Sequence, residues 1–363
     1  MKPLRILLLF GSSEMNATFS YQHSWPAAFD RHPQFDCTCI NLLDRRLPAR
    51  VAALATAATW RGDAVVLLHS VFSNARLLSG RLFDIVQRIR QPKAYFIGNE
   101  YKLMPEKMEF CERLNVRLLV SQTRSRRVHD LYRERLGCSV VGIPNTGFDP
   151  ELFRPITPLA DRPIDIGYRS VDAPAYLGHT ERRDIAGYFQ QNAERLQLRV
   201  DISLDSRCRL AGRDWASFLG RCKGQLGTEA GGDYFELTDE TRDKVNEYTT
   251  LHPQAPFKDI RNRFFATYPD PVPIRIISGR NVEAAGAGTV QLLFEGEYDG
   301  YLRADEHYIP LKKNLSNADE AIRKFRDEAY CRRITANAHD LVMSEFRYDH
   351  LIGTFAAALR SSP

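Results

Sequence analysis

Short apolar runs alternate with longer mixed segments throughout the first 150 residues of the chain. The runs are rich in Val, Ile, Leu and Phe without an alternating polar pattern, which is typical of strands buried on both faces. They predict strands at residues 5–10, 35–41, 64–69, 94–98, 117–121 and 139–143. The segments between them predict helices at residues 24–31, 47–60, 79–90 and 125–136. Strands and helices in this order predict a parallel sheet covered on both faces.

A proline-rich stretch follows this first block. Its prolines are Pro144, Pro150, Pro155, Pro158 and Pro163, set in a polar run without periodicity. Proline at this density favours a linker, because it interrupts both helices and central strands. We therefore predict one domain over residues 1–150 and a second over residues 151–345. Residues 346–363 are expected to form a helix that returns to the first domain.

The second block repeats the strand–helix alternation. Predicted strands lie at residues 164–168, 198–202, 224–226, 274–277, 289–294 and 307–311. Predicted helices lie at residues 181–195, 214–221, 238–251, 281–287, 318–327 and 328–345. Residues 348–359 carry apolar side chains at helical spacing, which suits a helix packed on the first domain. The predicted fold class is α/β, with two Rossmann-like domains that face a cleft.

Composition adds a few limits to this picture. With 363 residues, 44% hydrophobic and 26% charged, the chain has the composition of a folded protein of about two domains. No apolar run approaches the roughly 20 residues of a membrane span, and we interpret residues 6–10 as a first strand instead of a signal peptide. The seven cysteines are odd in number and form no CxxC pair. That pattern argues against structural zinc and disulfides and favours the cytoplasm.

The net charge of +5 is mildly positive. It is too small to indicate a nucleic-acid partner, and we predict none. It does suit a protein that handles anionic ligands such as nucleotide diphosphates.

The segment 278–294 holds the first candidate site. Ser278 and Gly279 form a turn before a short helix, and a buried strand follows Gly288. Glu283 lies in the middle of this small, apolar helix, where its carboxylate could accept hydrogen bonds from both ribose hydroxyls. The amino end of the helix suits a diphosphate. An exposed Glu283 and glycines that merely cap the helix are an equally good interpretation of the spacing.

A second candidate is the glycine-bearing loop at residues 226–237. Glu229 and Asp233 could contact sugar hydroxyls or act as acid or base. The alternative is a tight loop in which the glycines allow positive φ and Asp233 caps the next helix.

Three cations and one histidine complete the candidates. Arg169, Lys223 and Arg280 could stabilise charge on a leaving diphosphate, because guanidinium and ammonium groups bind phosphate oxygens well. Each could equally be a solvated surface residue. His69 ends a predicted strand and could be a general base toward an acceptor, or a hydrogen-bonded loop anchor. The candidates comprise catalytic His69 and Glu229 together with donor-binding residues, and no metal ligand.

At this point the sequence resembles a known family. The run Glu-Ala-Ala-x-Ala-Gly-Thr-x-x-Leu that begins at Glu283 is similar to the donor-site signature of group-1 glycosyltransferases, closest to their spore-maturation-type branch. Residues 165–169, 295–302, 307–311 and 315–317 resemble the same branch. The resemblance spans about residues 163–350. It implies the GT-B fold and a Glu283 that binds the nucleotide ribose.

One position departs from the family pattern. The large retaining group carries a second glutamate eight residues before the ribose glutamate, and Arg275 stands there in this chain. The stereochemical outcome therefore does not carry over. The resemblance implies transfer of a sugar from a nucleotide-diphosphate donor, UDP- or GDP-linked, to a small-molecule, glycan or protein acceptor. The absence of a strand-flanked Asp-x-Asp favours metal-independent chemistry without a further cofactor.

Other functions remain compatible with this pattern. A sugar-nucleotide epimerase or a phosphorylase of the same fold is one alternative. A catalytically silent binding partner is another, because a fold does not fix a function.

Overall fold

The structure is a computed structural model that describes residues 2–13, 20–268 and 270–362. Contacts between residues divide the chain into two compact units. The first unit comprises Met1–Gly147, Phe235–Glu240 and Tyr348–Pro363. The second comprises Phe148–Tyr234 and Thr241–Arg347. None of the helices in the described ranges is long and apolar enough to span a bilayer.

The first unit is built on a six-stranded parallel sheet with the strand order β2-β1-β3-β4-β5-β6. Its strands are β1 (Leu4–Phe10), β2 (Phe35–Asn41), β3 (Ala64–Leu67), β4 (Lys93–Phe96), β5 (Val116–Ser121) and β6 (Ser139–Gly142). Its helices are α1 (Ser20–Arg31), α2 (Leu47–Thr59), α3 (Gly80–Arg88), α4 (Met104–Leu114) and α5 (Arg126–Leu136). The order reverses between β1 and β3, which is where ligands usually bind in such sheets.

Burial explains why this sheet forms. The side chains of Ile6, Leu7, Leu8 and Leu9 are completely buried, so both faces of β1 are covered. An aromatic cluster on one face includes Trp25, Phe29, Phe96 and Phe355. Phe355 comes from the last helix of the chain, α13 (Tyr348–Ser361), so this helix completes the core of the first unit.

A short strap from the middle of the sequence also belongs to the first unit. It is the segment Phe235–Glu240. The Phe235 ring packs edge-on against Tyr132, with the ring centroids 5.3 Å apart. Asp239 accepts hydrogen bonds from the backbone amides of Leu103 and Met104 at the start of α4. It therefore supplies the cap that this helix start requires.

The second unit has a five-stranded parallel sheet in the order β13-β12-β9-β7-β8. Its strands are β7 (Ile164–Arg169), β8 (Val200–Ser203), β9 (Cys222–Gly227), β12 (Val290–Phe294) and β13 (Ile309–Leu311). Its helices are α6 (Glu181–Gln191), α7 (Gly212–Arg221), α8 (Glu240–Leu251), α9 (Phe257–Phe264), α10 (Gly279–Gly286), α11 (Ala318–Arg326) and α12 (Glu328–Glu345). Glu240, the first residue of α8, lies in the strap.

A separate antiparallel pair joins β10 (Ala230–Gly232) to β11 (Ile274–Ile276). Gly231 has a φ of +90°, and a Cβ atom there would lie 1.8 Å from the carbonyl oxygen of Ile274. Only glycine fits this position, because other residues disfavour that φ and the space is filled. The sequence predicted a strand at residues 274–277, but the strand pairs outside the parallel sheet.

The predicted fold class is confirmed: two parallel α/β units are present, and the last helix packs on the first. The domain prediction put the boundary after residue 150, whereas contacts divide the chain between Gly147 and Phe148. The sequence pattern did not indicate α4, α9 or the strap.

Candidate functional site

The segment 278–294 forms α10 and β12, as its pattern predicted. Ser278 is the N-cap, and its hydroxyl accepts a hydrogen bond from the backbone amide of Arg280 at 3.2 Å. The Asn281 side chain accepts from the Ser278 amide at 3.2 Å and donates to Gln291 on β12 at 3.2 Å. The helix start is thereby fixed to the side chain of Gln291, the second residue of β12.

This capping box limits what the helix end can offer a diphosphate. The amides of Asn281 and Val282 are bonded to the Ser278 carbonyl, and that of Arg280 to its hydroxyl. Gly279 is thus the first-turn residue whose amide is not engaged by the cap. The macrodipole still favours an anion here. Side chains must therefore supply much of the positive charge that stabilises a bound diphosphate.

Glu283 is buried, with 5% of its surface exposed. Its Oε2 accepts a hydrogen bond of 2.8 Å from Nε1 of Trp215 on α7. The exposed-helix interpretation of Glu283 is therefore wrong. A buried carboxylate needs donors, and the indole supplies one of them.

Arg280 lies over the face of the Trp215 ring. Its guanidinium carbon is 3.9 Å from the centre of the indole ring, and its Nη2 donates to the Leu210 carbonyl at 3.3 Å. Burial lowers the pKa of Arg280, and the nearby Glu283 acts in the opposite direction. Trp215 therefore orients both candidate side chains of α10, one by a hydrogen bond and one by cation–π contact.

Arg275 is the centre of a partly buried ion cluster, in which its own side chain is 11% exposed and that of Glu181 is 9% exposed. Its Nη1 and Nη2 each donate to Glu181, at 3.1 Å to Oε2 and 3.1 Å to Oε1, and its Nε donates to Asp233 at 3.0 Å. Lys313 also donates to Glu181. Burial pushes the pKa of Glu181 upward, but Arg275, His179 and Lys313 outweigh it and the net direction is downward. The carboxylate is therefore ionised.

The cluster lies where three strands of the parallel sheet end. Glu181 begins α6 after β7, Glu229 follows β9, and Lys313 follows β13. Asp233 and Arg275 come from the loop and strand beside them. In α/β sheets the carboxyl ends of the strands are the usual ligand-binding edge. Two cations and three carboxylates thus meet at that edge of the second unit.

Glu229 is buried at 4% exposure, and its Oε1 accepts the backbone amide of Tyr298 at 2.7 Å. Burial raises its pKa, and the Tyr298 hydrogen bond offsets part of the rise. Gly296 leaves the room for it, because a Cβ atom there would lie 2.5 Å from the Glu229 carboxyl carbon. A carboxyl group with a raised pKa is a stronger base once ionised.

Two cations predicted to contact the donor are bonded to aspartates outside this cluster. Arg169 donates to the carbonyl and carboxylate of Asp201 at 2.8 and 2.6 Å, and its guanidinium covers the Phe218 ring. Lys223 is the second residue of β9 and pairs with Asp165 at 3.1 Å. Lys223 is therefore at the amino edge of the sheet, opposite the end that carries Glu229. That position does not fit the predicted phosphate contact.

His69 follows β3 in the first unit and is buried at 2% exposure. Its ring lies 5.9 Å from that of Trp25 and 5.2 Å from that of Phe96. Burial lowers its pKa to about 3, so the imidazole is neutral near pH 7. This aromatic environment favours a packing role over the predicted general base.

Glu181 and Lys313 were not singled out from the sequence. Both occupy ordinary positions, one at a helix start and one after a short strand. The available signal was indirect: an arginine at position 275 required carboxylate partners once buried. Asp233, one of those partners, had been recognised as a candidate sugar contact, acid or base, or alternatively as a helix cap, but not as a partner of Arg275.

Similarity to known proteins comes from structure and not from sequence. No protein-family model and no curated protein matches the chain. HepE from Anabaena in complex with UDP superposes with a TM-score of 0.52 at 12% identity, over 99% of this chain and 100% of that one. Sucrose-phosphate synthase from Thermosynechococcus elongatus gives 0.52 at 12%, over 98% of each chain.

A third solved structure is an α-glucosyltransferase in complex with UDP-glucose and DNA containing an abasic site. It gives a TM-score of 0.60 at 8% identity, over 99% of this chain and 100% of that one. These neighbours are GT-B glycosyltransferases, and identities this low carry the fold alone. None of them bears on the spore-maturation-type branch, which stays a prediction. The chain has the GT-B fold.

Proposed function

We propose that the chain is a glycosyltransferase that moves a sugar from a nucleotide-diphosphate donor to an acceptor. The supporting observations lie in the second unit: buried Glu283 on α10 is oriented by Trp215, and the cations Arg275 and Lys313 meet at the carboxyl edge of the sheet. Solved proteins of the same fold are glycosyltransferases that bind UDP or UDP-glucose.

In this proposal the donor binds along the carboxyl edge of the second unit. Glu283 accepts hydrogen bonds from the ribose hydroxyls, while Trp215 holds its other oxygen. Lys313, which is half exposed, exchanges its contact with Glu181 for a phosphate oxygen. Arg275 keeps its bidentate contact with Glu181 and adds positive charge behind the diphosphate.

The reaction breaks the bond between the anomeric carbon and a diphosphate oxygen, and an acceptor oxygen or nitrogen forms the new bond. The two bonding electrons leave with the diphosphate, where the cations stabilise the extra charge. The acceptor proton needs a base. Glu229 is the carboxylate that we propose for it, because burial raises its pKa. No metal ion takes part in this proposal, and no cofactor is needed besides the donor.

The test is binding and slow hydrolysis of a panel of UDP- and GDP-sugars. We expect one nucleotide diphosphate to raise the melting temperature and its sugar conjugate to release the nucleotide slowly, unchanged by EDTA. Glu283→Ala should abolish both effects. Glu194→Ala is the matched control, because Glu194 is an exposed glutamate three residues beyond the end of α6.

The outcomes separate the alternatives. A thermal shift without hydrolysis, with or without candidate acceptors, identifies a silent binding protein. If no nucleotide binds and Glu283→Ala behaves as wild type, the proposal fails.

A further inference from the structure

The first unit has a cavity of its own at the carboxyl edge of its sheet, with a volume of about 670 Å³. Its wall runs from Ile40 and Asn41 at the end of β2, through the loop that follows, to the first two turns of α2 and the first turn of α3. Asn41 also bonds both the amide and the carbonyl of Ser12 after β1. The cavity therefore lies beside the reversal point of the strand order, where such sheets bind ligands.

Three arginines line this cavity: Arg45, Arg50 and Arg81. All three are exposed, and none of them forms an ion pair with another residue in the described part of the chain. The carboxylate on the same wall, Asp44, is already bonded to Arg46 by Nε at 2.9 Å and by Nη2. The cavity therefore presents three guanidinium groups without a neutralising partner, a set suited to a phosphate group.

The rest of the wall is mostly aliphatic, with Asn41 and Ser79 as its uncharged polar side chains. Leu42, Leu54, Leu77 and Leu82 line it, each only partly buried. The adjoining surface of α2 is apolar as well, with Leu47 at 71% and Val51 at 56% exposure. These two residues are half of the large hydrophobic side chains that stand exposed among the described residues. Aliphatic surface beside cations suits an amphiphile better than a free sugar or a nucleotide.

The distribution of charge points to the same class of ligand. The first unit carries 22 lysines and arginines against 16 aspartates and glutamates, a formal charge of +6. The second unit carries 28 against 29, a formal charge of −1. The net positive charge of the protein therefore comes entirely from the unit that holds this cavity. A basic surface with exposed apolar side chains is complementary to an anionic lipid surface.

We infer that this cavity binds the headgroup of a phosphorylated lipid, and that this lipid is the sugar acceptor. The arginines contact the phosphate, the leucines contact the first methylenes of the chain, and Leu47 and Val51 rest in the lipid interface. The acceptor role rests on the proposed transferase function, whereas lipid binding does not. The two are therefore tested by separate readouts.

The binding test uses the full chain and sedimentation with vesicles. Phosphatidylcholine vesicles that contain phosphatidic acid should bind, and pure phosphatidylcholine vesicles should not. Arg45→Gln/Arg50→Gln/Arg81→Gln should weaken binding about a hundredfold, from roughly a fivefold loss per arginine at an anionic surface. Its melting temperature should match wild type, because all three side chains are exposed.

The matched control removes the same charge elsewhere in the same unit. Arg88, Arg90 and Arg117 are exposed and lie near the end of α3 and the start of β5, at the opposite edge of the sheet. If Arg88→Gln/Arg90→Gln/Arg117→Gln weakens vesicle binding as much as the cavity variant, attraction is diffuse and the inference is overturned.

Two further arms identify the source of the phosphate. Leu47→Gln/Val51→Gln should weaken vesicle binding and leave glycerol phosphate binding unchanged. Equal affinity for glycerol phosphate and for vesicles would overturn the lipid assignment, as would displacement of the vesicles by a DNA oligonucleotide.

Transfer is then measured separately, with the donor identified by hydrolysis and phosphatidic acid vesicles as acceptor. Vesicle binding without donor turnover would remove the transferase function and leave the lipid site. Donor turnover without cavity-dependent vesicle binding would support the transferase function and overturn the lipid site.

Discussion

The carboxyl edges of the two sheets differ in how their positive charge is balanced. In the second unit Arg275, with 11% of its side chain exposed, is bonded to Glu181 and Asp233. In the first unit Arg45, Arg50 and Arg81 line an open cavity without carboxylate partners. A buried cation must be paired because its desolvation is costly. An exposed cation stays hydrated and can remain unpaired until a ligand binds. Similar topology thus supports one preorganised edge and one open edge.

The largest effect on stability is expected from breaking the ion pairs of Arg275 in the second unit. Arg275→Ala leaves Glu181, with 9% of its side chain exposed, with Lys313 as its remaining ion-pair partner. We expect a loss of about 3–5 kcal/mol in the free energy of unfolding, as for other broken buried ion pairs. Urea denaturation measures it. Arg275→Met/Glu181→Gln should recover much of the loss, and a single variant as stable as wild type would show that the cluster is not coupled.

The next largest effect is expected on the pH dependence of stability, through the buried His69 in the first unit. Burial lowers the pKa of His69 to about 3, whereas an unfolded histidine titrates near 6.5. The unfolded state therefore binds more protons between these values, and stability falls as the pH drops. By about pH 4 this residue alone should cost about 3 kcal/mol.

His69→Gln isolates this contribution, because it removes the titration and keeps a polar side chain. Below pH 6.5 the wild type should lose free energy of unfolding more steeply than the variant as the pH falls. A difference that stays constant with pH would show that His69 remains protonatable in the folded protein.

Trp215 tests whether the second unit's edge is preorganised for the donor. Trp215→Phe removes the indole donor to Glu283 and retains an aromatic ring under Arg280. A hydrogen bond to a charged group contributes about 1.5–3 kcal/mol, so nucleotide affinity should fall about 10- to 100-fold. Calorimetric titration with the nucleotide measures it, with Trp60→Phe in the first unit as the control.

The smallest effect is expected at Lys223. Its ion pair with Asp165 is partly exposed, and such pairs contribute about 0–1 kcal/mol. Lys223→Ala should leave nucleotide binding unchanged. A clear loss of nucleotide affinity would support the predicted phosphate contact of Lys223 and contradict the placement of Lys223 at the amino edge of the sheet.

The strand–helix alternation was enough to predict both sheets, because strands buried on both faces leave continuous apolar runs. The pattern could also place Glu283 on a short helix before a buried strand. It could not show that Trp215, 68 positions earlier in the chain, would donate to that carboxylate. Nor could it separate Lys223 from Arg280, since the edge at which a cation lies depends on its position along a strand whose ends are uncertain.

The ion cluster illustrates the same limit. Arg275 was recognised as a departure from a family pattern, but its partners come from a helix start and a loop that only the tertiary fold brings together. The cavity arginines left no motif either. They are spaced as ordinary surface residues: Arg45 lies in the loop before α2, Arg50 on α2 and Arg81 on α3, and only the tertiary fold brings them to one cavity.

The discontinuity of the first unit affects how the protein is made. A ribosome finishes residues 1–147 early, but helix α13, which completes their core, emerges only after roughly 200 further residues. At about 5–20 residues per second this delay is roughly 10–40 s. During that interval the aromatic surface around Phe29 and Phe96 lacks the helix that covers it. The unit that is translated first therefore completes its core last, and a nascent chain stalled before residue 348 should be a substrate for chaperones.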